Sequence, residues 1–232
     1  MTKRLQTLGV VLAVIGLGFL AGAGVAFAKV QAGYASLHAL SAAQNVELTY
    51  NADGQLADDT GSTKEATAIM SLLQDDWKYP VVKSDLNPND PVVNTASEYM
   101  YQMATITYHT ITRPQTVVLP EDVTADNGKV FKAGSYDFNP NGKYWTGYDR
   151  SNPIEAIARD QAWSGTAHGL IAELGVGTVT HSALQLGLAI AAILAGIGLT
   201  IILAGLGLVW AGRAPKQIAA PVAERIKEPV LV

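Results

Sequence analysis

Apolar positions are distributed along this chain in two unlike ways. Near each end they run on without interruption: no charged residue occurs from Thr7 to Ala28, and none from Ser182 to Gly212. Between these stretches, apolar residues alternate with polar ones in short periodic segments bounded by Gly, Pro, Asn and Asp. Leu8 to Phe27 supplies 20 uncharged residues, the length an α-helix needs to cross a hydrocarbon layer of about 30 Å. Ala183 to Gly212 supplies 30, enough to span with tilt or with one end in the interface. The pattern predicts membrane helices over residues 8–28 and 183–212, with residues 29–182 forming one domain between them. That leaves about 150 residues for the domain, an ordinary size for a single core.

The polar middle reads as helix-dominated α+β. Lys29 to Gln44 has few breakers, so the first helix is expected to continue beyond the apolar stretch into a short strand at Val46–Tyr50, followed by a turn at Asn51-Ala52-Asp53-Gly54. Ser62-Thr63-Lys64-Glu65 has the spacing of a capping box and opens a helix through Ala66, Ile69, Met70 and Leu73 that ends near Gln74. Thr95-Ala96-Ser97-Glu98 repeats the signature and starts a helix to about Thr110, with Tyr99, Met100, Met103 and Ile106 as its buried stripe. Thr116–Leu119 and Val130–Phe138 read as an antiparallel pair joined through Asn127-Gly128. Asn152 with Pro153 begins a last helix, expected to pass Trp163 and end near Leu174, where Gly175-Val176-Gly177 breaks it.

Charge gives the apolar stretches a direction. Lys3 and Arg4 precede the first, and Arg213 and Lys216 follow the second. Basic flanks mark the cytoplasmic side. Residues 1–7 and 213–232 are therefore expected inside, and residues 29–182 outside, with Trp210 as an aromatic anchor at the inner headgroups. Ala26-Phe27-Ala28 behind a basic start also fits a cleavable secretory signal, which would send the middle to the same side. Small residues recur every four positions at Gly18, Gly22 and Ala26 and at Ala192, Gly196, Thr200 and Ala204. Such stripes let helices approach closely in lipid, either each other or another copy or protein.

Between Lys29 and Thr180 there are 10 Lys and Arg against 18 Asp and Glu, which argues against a nucleic-acid partner. The chain has no cysteine, so thiolate chemistry and disulfides are excluded. The letters Gly16-Leu17-Gly18-Phe19-Leu20-Ala21 match a dinucleotide-binding pattern but lie inside an apolar helix, where no strand precedes them and no phosphate could be met.

Segment Asp75–His109, above all Asp75-Asp76-Trp77-Lys78-Tyr79-Pro80 and Asn89 to Met103, resembles a group of uncharacterised two-span membrane proteins of actinobacteria. The resemblance implies a bacterial plasma-membrane location and the same layout, with no activity and no catalytic residue to carry over.

The search for chemistry yields a few candidates. His109 and His168 with a carboxylate such as Glu98 could assemble a metal site in space, since ligands need not be neighbours in sequence; ordinary surface or buried histidines are the competing reading. Asp85-Leu86-Asn87-Pro88-Asn89-Asp90 begins like a calcium loop, yet it has Asp90 where glycine and Ala96 where glutamate are required, so an Asx-turn loop accounts for it. Asp58-Asp59 and Asp75-Asp76 read as solvated carboxylates. Ser164 and His168 can meet on one helix face, but neither an oxyanion site nor an oriented base accompanies them. Tyr144, Trp145 and Tyr148 read as packing between the hairpin and the last helix, with a contact surface or ligand wall as the alternative. The expectation is a non-catalytic membrane protein without cofactor or metal. Its outer domain contacts another membrane or envelope protein, as an accessory or scaffold component or in a homo-oligomer. An outer small-ligand or ion sensor is the alternative, and a metal-dependent enzyme the third.

Overall fold

The computed structural model describes residues 2–213; the tail from residue 214 on, with Lys216, Arg225 and Lys227 of the expected cytoplasmic segment, lies outside the described residues. The architecture is mostly helical with a small antiparallel β element: α1 (Thr2–Gln44), α2 (Thr63–Ser71), α3 (Ala96–Thr112), β1 (Gln115–Leu119), β2 (Val123–Thr124), β3 (Val130–Phe131), β4 (Gly134–Phe138), α4 (Pro153–Ala162) and α5 (Gly165–Ala211). Helices α1 and α5 are both long and apolar enough to cross a membrane. At 43 and 47 residues they measure about 65 and 70 Å, roughly twice a hydrocarbon layer. Two compact units divide the chain: Met1–Phe27 with Ala189–Val232, and Ala28–Leu188.

In the first unit the helices meet along a glycine seam. Gly9, Gly16 and Ala23 are buried on α1, and Ala191, Gly198 and Gly205 on α5, each set at seven-residue spacing. A Cβ on Gly16 would fall 2.7 Å from the Gly198 carbonyl, and one on Gly198 would fall 2.8 Å from the Gly16 carbonyl, so only glycine permits this backbone approach. Gln6 Nε2 donates to the Gly212 carbonyl at 3.0 Å and satisfies an acceptor at the end of α5. Most of the four-residue stripe positions lie away from this contact, and only Ala26 among them is half-buried. Positions 18, 22 and 196 have nothing within 4 Å of where a Cβ would stand, and Ala192, Thr200 and Ala204 are exposed. Two helices that follow each other closely keep a period near 3.5, so seven-residue rather than four-residue spacing selects the facing positions.

In the second unit α1 contributes Val30, Leu37 and Ser41, all buried. Its Gly33 faces the Leu184 side chain, and Gly187 faces Val30. Tyr99 of α3 donates or accepts one hydrogen bond with Ser41 Oγ at 2.7 Å and packs on Gly177 of α5. Around these lies the main core, with Leu48, Ile69, Leu73, Val93, Tyr101 and Ala104.

Local signals are followed at some places and overruled at others. The α3 capping box is complete: Thr95 Oγ1 accepts from Glu98 N, and Glu98 Oε2 accepts from Thr95 N. Of its expected stripe only Tyr99 is buried; Met100, Met103 and Ile106 are half-buried, and Tyr101, Ala104, Thr107 and Ile111 face the core instead, because α3 is covered on more than one side. At α2 the box is left open. Ser62 Oγ accepts from Lys64 N at 3.3 Å, while Glu65 turns toward α3. The helix continues past Gln74 through a wider turn at Leu72–Asp76, closed by Tyr79 N donating to the Leu73 carbonyl. The expected strand Val46–Tyr50 makes only isolated bridges, Glu47 with Val92 and Tyr50 with Leu56.

The β1–β4 pair forms with Val117 opposite Tyr136. Val117 and Leu119 point into a core with Ala158 of α4, and Val118 between them is exposed, the alternation a one-sided sheet requires. The strand expected over Val130–Phe138 is split at Lys132-Ala133, where Asp122 accepts from Ala133 N at 2.9 Å and Lys132 Nζ at 2.8 Å. Helix α4 stops at Ala162, not near Leu174, and α5 runs unbroken through Gly175-Val176-Gly177. Trp163, its side chain buried, leaves helical geometry at ψ 50°, and Ser164 Oγ then caps α5 by accepting from Ala167 N at 3.2 Å.

Candidate functional site

The second unit contains a cleft of about 270 Å³ between α2, α3 and the segment from Glu47 to Asp59. Two helices place its polar wall. Glu65 projects from the first turn of α2, and His109 and Arg113, one turn apart on α3, meet it. His109 Nε2 bonds Glu65 Oε1, and Arg113 Nη2 lies 3.5 Å from the same oxygen and 3.0 Å from His109 Nε2. One ring nitrogen cannot donate and accept at once. Glu65 Oε1 accepts the hydrogen bond from Nε2–H, and the guanidinium contributes mainly its charge. Glu65 thus links the first turn of α2 to the end of α3 at the rim of the cleft.

Opposite this wall, Asp58 organises its own loop: Oδ1 accepts from Thr60 Oγ1 at 2.6 Å and from Thr60 N and Ser62 N at 2.9 Å each. The Thr60 hydroxyl, and then the Ser62 N–H, hold its carboxyl below the usual carboxylate range. Glu47 and Asp59 also line the cleft and have no side-chain hydrogen bond or ion pair among the described residues. Ala57, Ala66 and Ile69 provide an apolar floor.

Tyr101 is only 6% exposed and lines the cleft. Among the described residues its hydroxyl has no hydrogen-bond partner. Burial first, and then the negative fields of Tyr50 and Glu65, push the phenol well above its ordinary range, so it stays protonated. The neighbouring Tyr50 is pushed up to about 12 by burial and by Glu98 and Asp90, and its hydroxyl, buried where that of Tyr101 is not, has no partner among the described residues.

The structure does not bring the expected trio His109, His168 and Glu98 together. His109 is paired with Glu65. His168 lies edge-on to Trp145, 5.1 Å between centroids, and beside Trp163. Glu98 is 1% exposed and caps α3, accepting from Asn94 N, Thr95 N and Thr95 Oγ1. Among the described residues no three His, Asp or Glu side chains converge to hold a metal. In the Asp85–Asp90 loop, Asn87 Oδ1 accepts from Asn89 N, an Asx turn. The Ser164 hydroxyl caps α5, and His168 Nδ1 meets the Ser164 carbonyl, not the hydroxyl.

Tyr148 is buried against Phe138, and Trp145 lies under the Arg159 guanidinium at 4.0 Å. Tyr144 is exposed and accepts from Trp77 Nε1 at 2.9 Å. The aromatic group is thus mainly packing among β4, α4 and the start of α5.

The sequence reading missed Glu65 and Tyr101. The one local signal available was the four-residue spacing of His109 and Arg113, which puts two nitrogen-bearing side chains on one face at the end of α3.

No family model matches the chain, and no similar curated protein or solved structure is found.

Proposed function

We propose that this is a non-catalytic membrane protein. The α1–α5 glycine seam forms an anchor, and the tethered segment 29–182 acts outside the plasma membrane as an accessory or scaffold component of an envelope complex. Residues 1–7 and 213–232 lie on the cytoplasmic side in this reading. The carrying observation is the contact of Gly16 with Gly198: two helices without an ionisable residue in their apolar stretches close backbone to backbone, which suits an anchor and leaves no lined pathway for transport. Its companion is that His109 and Glu65 are paired to each other, and among the described residues no serine or threonine hydroxyl is hydrogen-bonded to the imidazole. Cross-linking in intact membranes followed by purification in mild detergent tests it. A partner or second copy recovered in fixed ratio supports the reading; a chain recovered alone and monomeric overturns it. A reporter fused near Gly142 must report the outer side.

A second reading, ligand sensing by the outer domain, is favoured by the cleft between α2, α3 and the Glu47–Asp59 segment.

A further inference from the structure

Away from the cleft, the second unit holds a buried titratable group that neither an anchor nor a scaffold requires. His181 of α5 is 6% exposed, and its Nδ1 is closed off without a hydrogen-bond partner among the described residues. It lies where α1 and α5 pack together, with the Tyr34 ring edge-on at 5.6 Å. Tyr34 in turn lies 6.0 Å from the His38 ring. Around this point Thr178 is buried, Leu184 fills the space left by Gly33, and Val30 fills that left by Gly187. We infer that this is an acid-sensitive joint: the neutral His181 ring keeps the α1–α5 contact of the second unit closed, and its protonation parts the helices there.

Hydrogen-bonding capacity decides which form of the ring fits. A neutral imidazole has one N–H and can carry it on Nε2, which leaves no donor at Nδ1. The imidazolium has an N–H at both nitrogens, so Nδ1 becomes a buried donor without an acceptor, and a charge enters the same contact. From α1, His38 opposes that charge and Tyr34 presents a neutral ring; from the turn at Lys83–Asp85, Asp85 favours it. No ion pair joins Asp85 to the ring among the described residues. Helix α5 itself has no charged side chain from Leu174 to Gly212.

Burial, opposed by Asp85 and assisted by His38, holds His181 below the ordinary histidine range. The parted or unfolded helices therefore take up a proton first. The contribution of His181 to the closed joint is complete above the unfolded value of about 6.5 and is lost as pH falls from there through the lowered folded value. Tyr99 ties the joint to the core: it bonds Ser41, two turns along α1 from Tyr34, and packs on Gly177, one turn before His181. Parting the helices at His181 thus loosens the seat of α3.

The chain has no cysteine, so a single introduced thiol can be followed alone. The test uses the full chain in nanodiscs with either Thr178→Cys, at a buried position, or Val179→Cys, at an exposed one. The ratio of their labelling rates with a water-soluble thiol reagent removes the reaction's own dependence on pH. Between about pH 7.5 and 4.5 that ratio should rise roughly tenfold, and it should return on neutralisation. His181→Phe keeps a ring against Tyr34 but takes no proton, and should abolish the rise. His38→Gln should move the midpoint to higher pH and Asp85→Asn to lower pH, because each changes only the field at His181. A flat ratio in the parent, a rise that survives His181→Phe, or a midpoint that neither neighbouring variant moves overturns the inference. If His181→Phe leaves the joint open at every pH, the neighbouring variants decide alone: opposite shifts uphold the joint, and an unmoved midpoint overturns it.

Discussion

Tyr99 and Gly177 are packed so closely that a Cβ on the glycine would fall 2.7 Å from the ring carbons Cδ1 and Cε1. The same ring carries the hydroxyl that bonds Ser41. One side chain of α3 thus touches both α1 and α5 within the second unit, and the glycine that looks like a helix breaker is the socket for it.

Gly177→Ala should accordingly destabilise the protein by about 1–3 kcal/mol, the usual cost of forcing a methyl into a filled site. Gly175→Ala, two residues away with nothing within 4 Å of its Cβ position, should be neutral or stabilising by up to about 1 kcal/mol, because alanine is the better helix former. Thermal unfolding of the two variants in the same detergent compares them directly; equal destabilisation would mean that Tyr99 does not constrain the site.

The glycine seam makes a parallel prediction inside the apolar helices. Gly16→Leu should force α1 and α5 apart and lower resistance to unfolding by about 1–3 kcal/mol. Gly18→Leu, facing open space, should leave it unchanged within about 0.5 kcal/mol. Titration with a denaturing detergent distinguishes them, and an inverted order would show that the four-residue stripe is the contact after all.

Glu65→Ala separates the wall of the cleft from the core beneath it. Its carboxylate is about one-third exposed, so removing the contacts with His109 and Arg113 should cost no more than about 1 kcal/mol. A loss several times larger would make this ion cluster a structural keystone instead of a binding wall.

What could be read from the residues in advance divides along the range of the interactions. The Thr95–Glu98 cap is closed within four residues, and it forms as its letters indicate. Ser62–Glu65 has the same letters, but Glu65 has competing partners 44 residues away at His109 and beyond, so a local pattern is overruled by a tertiary one. Gly175-Val176-Gly177 stays helical for the same reason: the intrinsic helix cost of glycine is small beside the contact of Gly177 with Tyr99, which no local window contains. The apolar stretches within α1 and α5 were legible because they are properties of each segment alone; the full length of α5 was not, since it depends on Gly175–Gly177 staying helical. The facing glycines were not, since choosing 9 and 16 over 18 and 22 requires knowing the partner's register.

Glu98 gives the clearest dependence on pH. Its carboxyl is raised by burial, against the opposing effect of the Asn94 and Thr95 donors. The folded state therefore binds a proton more readily than the unfolded chain. Stability attributable to Glu98 is greatest below the unfolded pKa, declines as pH rises from there toward the raised folded value, and stays at its lower level above it. Glu98→Gln keeps an acceptor for the two N–H groups without the buried charge, so it should cost little at neutral pH and should flatten this part of the stability profile. Glu98→Ala leaves the cap open and should cost about 0.5–2 kcal/mol. Asp58, Asp122 and Asp149 run the other way: their hydrogen bonds lower each carboxyl, so their contributions fade as acid protonates the folded state. They are common to parent and variant, and the difference between parent and Glu98→Gln unfolding curves, measured across pH 4 to 8 at about one-unit steps, cancels them and isolates Glu98. A difference that does not vary with pH would show that this carboxylate is as well solvated as an open surface one.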